Sequence, residues 1–224
     1  MIPPRLYVTD DFTPFAELIM QYGSRIRIEK NTVLRDANGA DRAAYFIRDG
    51  VAKLSFVNEE GTEGTLLFFG KGAIYPINGV DEVLTAENYL QLVSVTDMDV
   101  IRFPARRVLD LCRTSTEFNV AIINHYVRYV NVLITKLLLN SYNDSTQLVS
   151  ALLYLYVHER GGENTIIDLT QEQIGQITGL SRTQVTRVLS TLRNNSVIRT
   201  LRGRLQVIDP EKLRHDYTRM SDLI

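Results

Sequence analysis

Between Ser181 and Ile208 the chain places six arginines and no acidic residue in 28 positions: Arg182, Arg187, Arg193, Arg199, Arg202 and Arg204. Nothing comparable occurs upstream, where residues 1–144 hold 15 basic and 18 acidic side chains and the whole chain has a net charge of −1. A guanidinium is a rigid fork of donors that fits phosphate oxygens and the O6/N7 edge of guanine. Thr183, Gln184, Thr186 and Ser190 are interleaved with these arginines. Their hydroxyl, amide and methyl groups suit the edges of a major groove. The chemistry on offer is therefore recognition of duplex DNA.

Other chemistry has little to work with. The single cysteine, Cys112, excludes an intrachain disulfide and any iron–sulfur or zinc site built from several cysteines, and Leu109 and Leu111 beside it suggest a structural thiol. Residues 1–124 contain no histidine, and His125, His158 and His215 fall outside the strand-rich region. No nucleophile–base pair or metal-ligand cluster is legible. We therefore expect no catalytic residue, no metal and no cofactor. An enzyme domain merely localised on DNA is the disfavoured alternative. The start of the chain, MIPPRLYVTDDF, does not read as a signal peptide, and no run is long and apolar enough to span a bilayer. A cytoplasmic protein without membrane contact is expected.

The elements that must position the arginines can be read from local spacing. Thr170 caps one helix, with Gln173 completing a capping box, and Ile174 and Ile177 supply its buried face. Gly179 permits a tight turn. Ser181 caps a second helix, again with a glutamine three residues on, Gln184, and Val185, Val188, Leu189 and Leu192 form its apolar stripe. Arg182, Thr183, Gln184, Thr186 and Arg187 are left to face outward. Cap hydroxyls and helix N-terminal amides, at Thr170, Gln171 and Ser181, suit phosphate. Two β-like stretches around Arg202-Gly203 (198–209) read as a wing, placing Arg202 and Arg204 beside the helix, with Arg193 near its end.

Upstream, residues 25–104 are short apolar stretches broken by glycine and charge. Ala52, Leu54 and Phe56 alternate with Lys53 and Ser55, the period of a half-buried strand, and Asn58-Glu59-Glu60-Gly61 reads as a hairpin turn. Such strands predict an antiparallel roll or barrel. Pro104 is expected to open a short helix over about 105–112. A long helix over roughly 116–142 carries Ile123, Tyr126, Val130, Leu133 and Leu137 at spacings of three and four, a seam expected to pair two copies of the chain. Ser141 to Ser145 reads as a hinge, and a further apolar helix (146–160) ends at Gly161-Gly162.

With these residues in view, 170–207 (TQEQIGQITGLSRTQVTRVLSTLRNNSVIRTLRGRLQV) closely resembles the winged helix-turn-helix of the bacterial cyclic-AMP receptor protein and fumarate–nitrate reduction regulator superfamily. The order of roll, long helix and winged domain matches that family over nearly the whole chain, and EEGTEGTLLFFGKG (59–72) matches its hairpin before the effector pocket. The resemblance implies an α+β protein: an N-terminal antiparallel, jelly-roll-like β-roll that senses an effector (1–115), a dimerisation helix (116–142), and a C-terminal winged helix-turn-helix (143–224). It implies a homodimer binding a double-stranded DNA operator under control of a small molecule, with RNA polymerase as a further partner if the protein activates. Effector-independent, constitutive regulation is the alternative.

Members of the family commonly read bases with an Arg-Glu pair and an arginine four residues after the glutamate. Here the matching positions are Arg182, Thr183 and Arg187, so threonine stands in place of glutamate. Cyclic-nucleotide-binding members hold the phosphate with a Gly-Glu pair and an Arg followed by a small residue; residues 70–92 have neither, which points away from cyclic AMP. The motif HYVRYV (125–130) resembles the pocket-facing part of the long helix in the halophenol-responsive halorespiration regulators of the superfamily. Tyr126 matches a tyrosine there, and Tyr129 stands where a lysine would be. Lys71, Tyr75, Tyr89, Tyr126 and Tyr129 are the expected effector residues, for a small aromatic or otherwise apolar metabolite.

Overall fold

The computed structural model describes residues 7–9, 11–35, 42–57, 63–77, 90–140, 144–160, 165–167, 169–201 and 204–218. The turn at 58–61, Tyr89, the first hinge residues 141–143, Gly161-Gly162 and Arg202 lie outside the described residues. The chain divides into two compact units, one over Tyr7–Leu133 and the other running on from Ile134.

Among the described residues of the first unit, nine strands form two sheets. One has the order β1 (Tyr7–Val8), β6 (Glu63–Phe69), β5 (Ala52–Val57), β8 (Leu90–Ser94) and β3 (Val33–Arg35). The other has the order β2 (Ser24–Ile28), β9 (Met98–Pro104), β4 (Ala43–Asp49) and β7 (Ile74–Tyr75). The expected antiparallel roll is present with one exception: β1 joins β6 in parallel, Tyr7 opposite Phe68. A connection from β1 to β6 spans most of the unit, so nothing local in the sequence signals it.

Strands β5 and β6 pair as the hairpin reading requires, with Val57 opposite Glu63. The simple alternation of β5 does not hold, however. Ser55 is fully buried like Ala52 and Leu54, whereas Phe56 is half-buried. The pairing with β6 shifts at the same place: Leu54 faces Leu67 but Ser55 faces Thr65, so Leu66 is an extra, bulged residue of β6.

Pro104 ends β9 rather than opening a helix; helix α2 runs over Arg106–Thr114. A proline needs no ladder donor at the last position of a strand. The short helix α1 (Ala16–Met20), α2 and the first turns of α3 (Thr116–Asn140) close over the four-stranded sheet. Phe12, Ile19, Phe46, Ile101, Phe103, Leu111 and Phe118 form the core beneath them. Each such side chain contributes about 1.5–3 kcal/mol by leaving water. Cys112 is half-buried there, and burial pushes its thiol above the usual range, as a structural thiol requires.

Helix α3 would be about 38 Å long at 1.5 Å per residue. Phe118, Ala121, His125 and Val132 are buried, at helical spacing, and mark the face turned to the protein. Val120, Ile123, Val127, Val130, Ile134 and Leu137 are 48–69% exposed and form a second stripe.

The second unit packs α4 (Ser145–Arg160), α5 (Gln171–Thr178) and α6 (Arg182–Asn194) with a three-stranded sheet. That sheet has the order β10 (Ile166–Ile167), β12 (Arg204–Val207) and β11 (Ile198–Leu201). No helix among the described residues is long and apolar enough to cross a membrane.

Candidate functional site

Both capping boxes form. Thr170 Oγ1 accepts from the Gln173 amide at 3.1 Å while Gln173 Oε1 accepts from the Thr170 amide at 2.9 Å. At α6 the Gln184 amide donates to Ser181 Oγ at 3.3 Å, and Gln184 Oε1 accepts from both the amide and the hydroxyl of Ser181. Each box satisfies helix-end amides that have no partner within the helix. Gly179 sits at φ +74°, where a side chain would be strained, and ends α5. Gly175 was not singled out by its spacing, but it is equally required. A Cβ there would lie 2.7 Å from the Leu180 carbonyl, so only glycine lets the turn fold this close to α5.

The expected buried stripe of α6 is complete: Val185, Val188, Leu189 and Leu192 are all at most 3% exposed. Its other face presents Arg182, Thr183, Gln184, Thr186 and Arg187, all exposed. A hollow of about 370 Å³ lies along Arg182, Thr183, Thr186 and Arg187. A second groove, of about 330 Å³, brings together residues far apart in sequence, including Thr170, Gln171, Glu172, Arg182, Thr200 and Arg204. Both helix starts and the β11–β12 sheet therefore converge, with Thr200 added by the fold.

Hydrogen bonds narrow what each side chain can still do. Gln184 spends its amide oxygen on the cap, leaving its NH₂ to donate outward. The Thr186 hydroxyl lies 2.8 Å from the Arg182 carbonyl and 2.9 Å from Gln171 Oε1, so Gln171 ties α5 to α6 across the turn. Arg193 donates to Ser190 Oγ at 3.1 Å in the last turn of α6, where a cation also complements the helix dipole.

The proposed effector residues separate into two groups. Tyr75 on β7 and Tyr129 on α3 both meet the ring of Phe69 on β6, at 5.0 and 6.2 Å between centroids. Tyr126 is 42% exposed, and Lys71 is exposed at the turn after β6, where its carbonyl accepts from Thr9 Oγ1.

His125 corrects the expectation that histidine stays apart from the roll. Although it belongs to α3, it is fully buried within the first unit, in contact with Phe12 and stacked on Phe69 at 6.2 Å. Its Nδ1 lies 2.9 Å from Asp11 Oδ2, and Arg128 Nε donates to Asp11 Oδ1 at 2.8 Å. Burial alone would raise the Asp11 carboxyl. Hydrogen bonds from His125 and Arg128, with the positive charge of the Arg128 guanidinium, outweigh it and hold the group below its ordinary value. Asp11 and His125 are 114 positions apart, so no spacing rule could pair them. Among the described residues no group of three or more histidine, cysteine, aspartate or glutamate side chains could hold a metal.

Residues 146–216 match the Crp-like helix-turn-helix domain. The chain is 25% identical over 201 residues to the global nitrogen regulator of Nostoc sp., covering 85% of this chain and 87% of that protein. Its fold is similar to a CooA variant from Carboxydothermus hydrogenoformans, with a TM-score of 0.79, 14% identity and coverage of 97% and 100% of the two chains. It is also similar to CprK complexed with OCPA, with a TM-score of 0.73, 17% identity and coverage of 92% and 97%. Residues 146–216 thus carry a Crp-like helix-turn-helix, and the roll, the long helix and this domain follow one another in the order of these solved folds.

Proposed function

We propose that this regulator is a cytoplasmic homodimer whose affinity for a double-stranded operator is set by a small effector in the roll. The single observation that carries the DNA reading is the acid-free exposed face of α6, fixed at its start by the Ser181–Gln184 box. In this reading α6 enters the major groove. Arg182 and Arg187 reach base edges, Thr183 replaces a carboxylate that would accept from cytosine, and the outward NH₂ of Gln184 donates. Thr170, Gln171 and Ser181 at the helix starts, with Arg204 and Arg202 from the wing, take phosphates. Arg193, held to Ser190, supports the backbone contacts from the far end of the helix. Thr186 presents its methyl group, its hydroxyl being engaged within the protein.

Dimerisation is supported by the exposed stripe of α3. Its positions run 120, 123, 127, 130, 134 and 137, alternating steps of three and four. Val120, Val127 and Ile134 recur every seven residues, and β-branched residues at that heptad position favour two parallel strands. In this reading the seam lies beside the one expected from sequence. Ile123, Val130 and Leu137 are retained, Val127 and Ile134 take the places of Tyr126 and Leu133, and Leu133 is half-buried.

Effector control is supported by the meeting of Tyr75 and Tyr129 on Phe69. CprK, which has the same fold, is complexed with OCPA, and this also favours a small-molecule ligand. An effector that binds the DNA-competent state more tightly would shift its population. If the protein activates, RNA polymerase is the further partner.

The test is a mobility shift on the gene's own upstream DNA with and without a panel of small aromatic metabolites. Altered affinity with one of them is expected. Tight binding indifferent to the whole panel would instead establish a constitutive regulator.

A further inference from the structure

Asp11 is buried, with a side chain only 1% exposed, and both its oxygens are engaged: Oδ2 by His125 Nδ1 and Oδ1 by Arg128. A carboxylate only accepts hydrogen bonds, so a neutral imidazole beside it carries its proton on Nδ1. The lone pair is then on Nε2. That atom is buried and has no hydrogen-bond partner among the described residues. An acceptor enclosed in this way is costly unless something uses it. The aromatic rings of the effector region stand beside it. Phe69 lies parallel to His125 within 5°, and Phe69 in turn meets Tyr75 and Tyr129.

We propose that His125 is the polar recognition point of the effector site. Its Nε2 accepts a hydrogen bond from the hydroxyl or N–H of a small, neutral aromatic ligand held among Phe69, Tyr75 and Tyr129. This rests on the effector-controlled reading above and specifies its ligand. The charge pattern selects a donor. In the neutral ring the Asp11 contact on Nδ1 leaves Nε2 as an acceptor, and Arg128, paired to Asp11, is not free to neutralise an anionic ligand. The device also reaches the rest of the protein. His125 is on the face of α3 opposite Ile123, Val127 and Val130, so a ligand bound to it acts on the helix that carries the exposed seam.

The full-length chain, labelled with ¹⁵N, tests this through two-bond correlations of the imidazole rings at neutral pH. His125 is assigned by its absence in His125→Phe or, if that variant does not fold, by elimination with His158→Gln and His215→Gln. Free protein should show the neutral tautomer protonated at Nδ1. The probes are phenol, anisole and benzoate. Phenol should bind about fivefold more tightly than anisole, the worth of one hydrogen bond, and should move the Nε2 resonance. In His125→Phe the two should bind alike.

A proton on Nε2 in the free protein, phenol bound without moving Nε2, or a preference for benzoate would each overturn the role of His125. So would failure of all three probes to bind. None of these outcomes touches effector control itself, which falls only if the mobility-shift panel is without effect.

Discussion

Helices α3 and α6 are built alike and exposed differently. Each buries one stripe at three- and four-residue spacing against its own unit: Phe118, Ala121, His125 and Val132 on α3, and Val185, Val188, Leu189 and Leu192 on α6. Each leaves the opposite face uncovered. On α6 that face is arginine, threonine and glutamine, which remain well solvated until a polyanion replaces the water. On α3 it is valine, isoleucine and leucine, which gain by meeting a surface of their own kind. The same architecture therefore leaves two unlike faces, one suited to charge and hydrogen bonding and the other to apolar contact.

The largest expected effect comes from placing charge in the apolar face. Val127→Asp would oppose two carboxylates at the centre of a parallel seam, at a cost of about 4 kcal/mol or roughly a thousandfold in dimer dissociation. Light scattering across a dilution series should show a monomer while the fold, read by circular dichroism, is kept. Tyr126→Asp should weaken the dimer less, because Tyr126 lies beside the stripe. Leu133→Asp should lower thermal stability rather than dimer mass. Equal loss of dimer in all three would return the seam to the positions expected from spacing.

Why spacing alone does not single out the exposed stripe is plain in the helix itself. Val120, Ile122, Ile123, Tyr126, Val127, Val130, Val132, Leu133 and Ile134 leave few polar positions, so several stripes with steps of three and four can be drawn. Which stripe is free depends on what Phe118, Ala121 and His125 meet, and Phe12 and Phe69 come from distant segments. The helix-turn-helix was legible because its determinants are local. Thr170 with Gln173 and Ser181 with Gln184 act over three residues, and Gly179 acts at its own position. The Leu66 bulge and the Asp11–His125 bond are set by contacts across the fold and left no pattern in the chain.

On α6 the corresponding change is smaller and alters what is read. Arg182→Ala should cost about 1–3 kcal/mol on the preferred operator and relax preference at one base pair of each half-site. Binding-site selection from random duplexes would check it. A uniform loss over all sequences would make Arg182 a phosphate contact. Thr183→Glu tests the same face without removing charge-bearing arginines. A carboxylate accepts from cytosine N4, whereas the threonine methyl favours thymine, so the preferred base should change by a discrimination of about 1–3 kcal/mol. The dimer mass should be unchanged in both variants, since neither residue lies on α3.

The smallest effect is expected where α6 begins. Ser181→Ala removes the hydroxyl that accepts from the Gln184 amide and leaves that amide without its cap, a loss of about 1 kcal/mol. It also removes one of the two bonds that Gln184 Oε1 accepts from Ser181, so the first turn, which carries Arg182 and Thr183, should fray. A modest fall in the melting of the DNA-binding unit should therefore accompany weaker binding to every operator. Base preference should survive, because the arginines and threonines are still present. If affinity is untouched while stability falls, the cap only holds the helix, and the phosphate contact assigned to Ser181 is lost with it. If affinity falls with no change in stability, Ser181 is chiefly a DNA contact and the box is secondary.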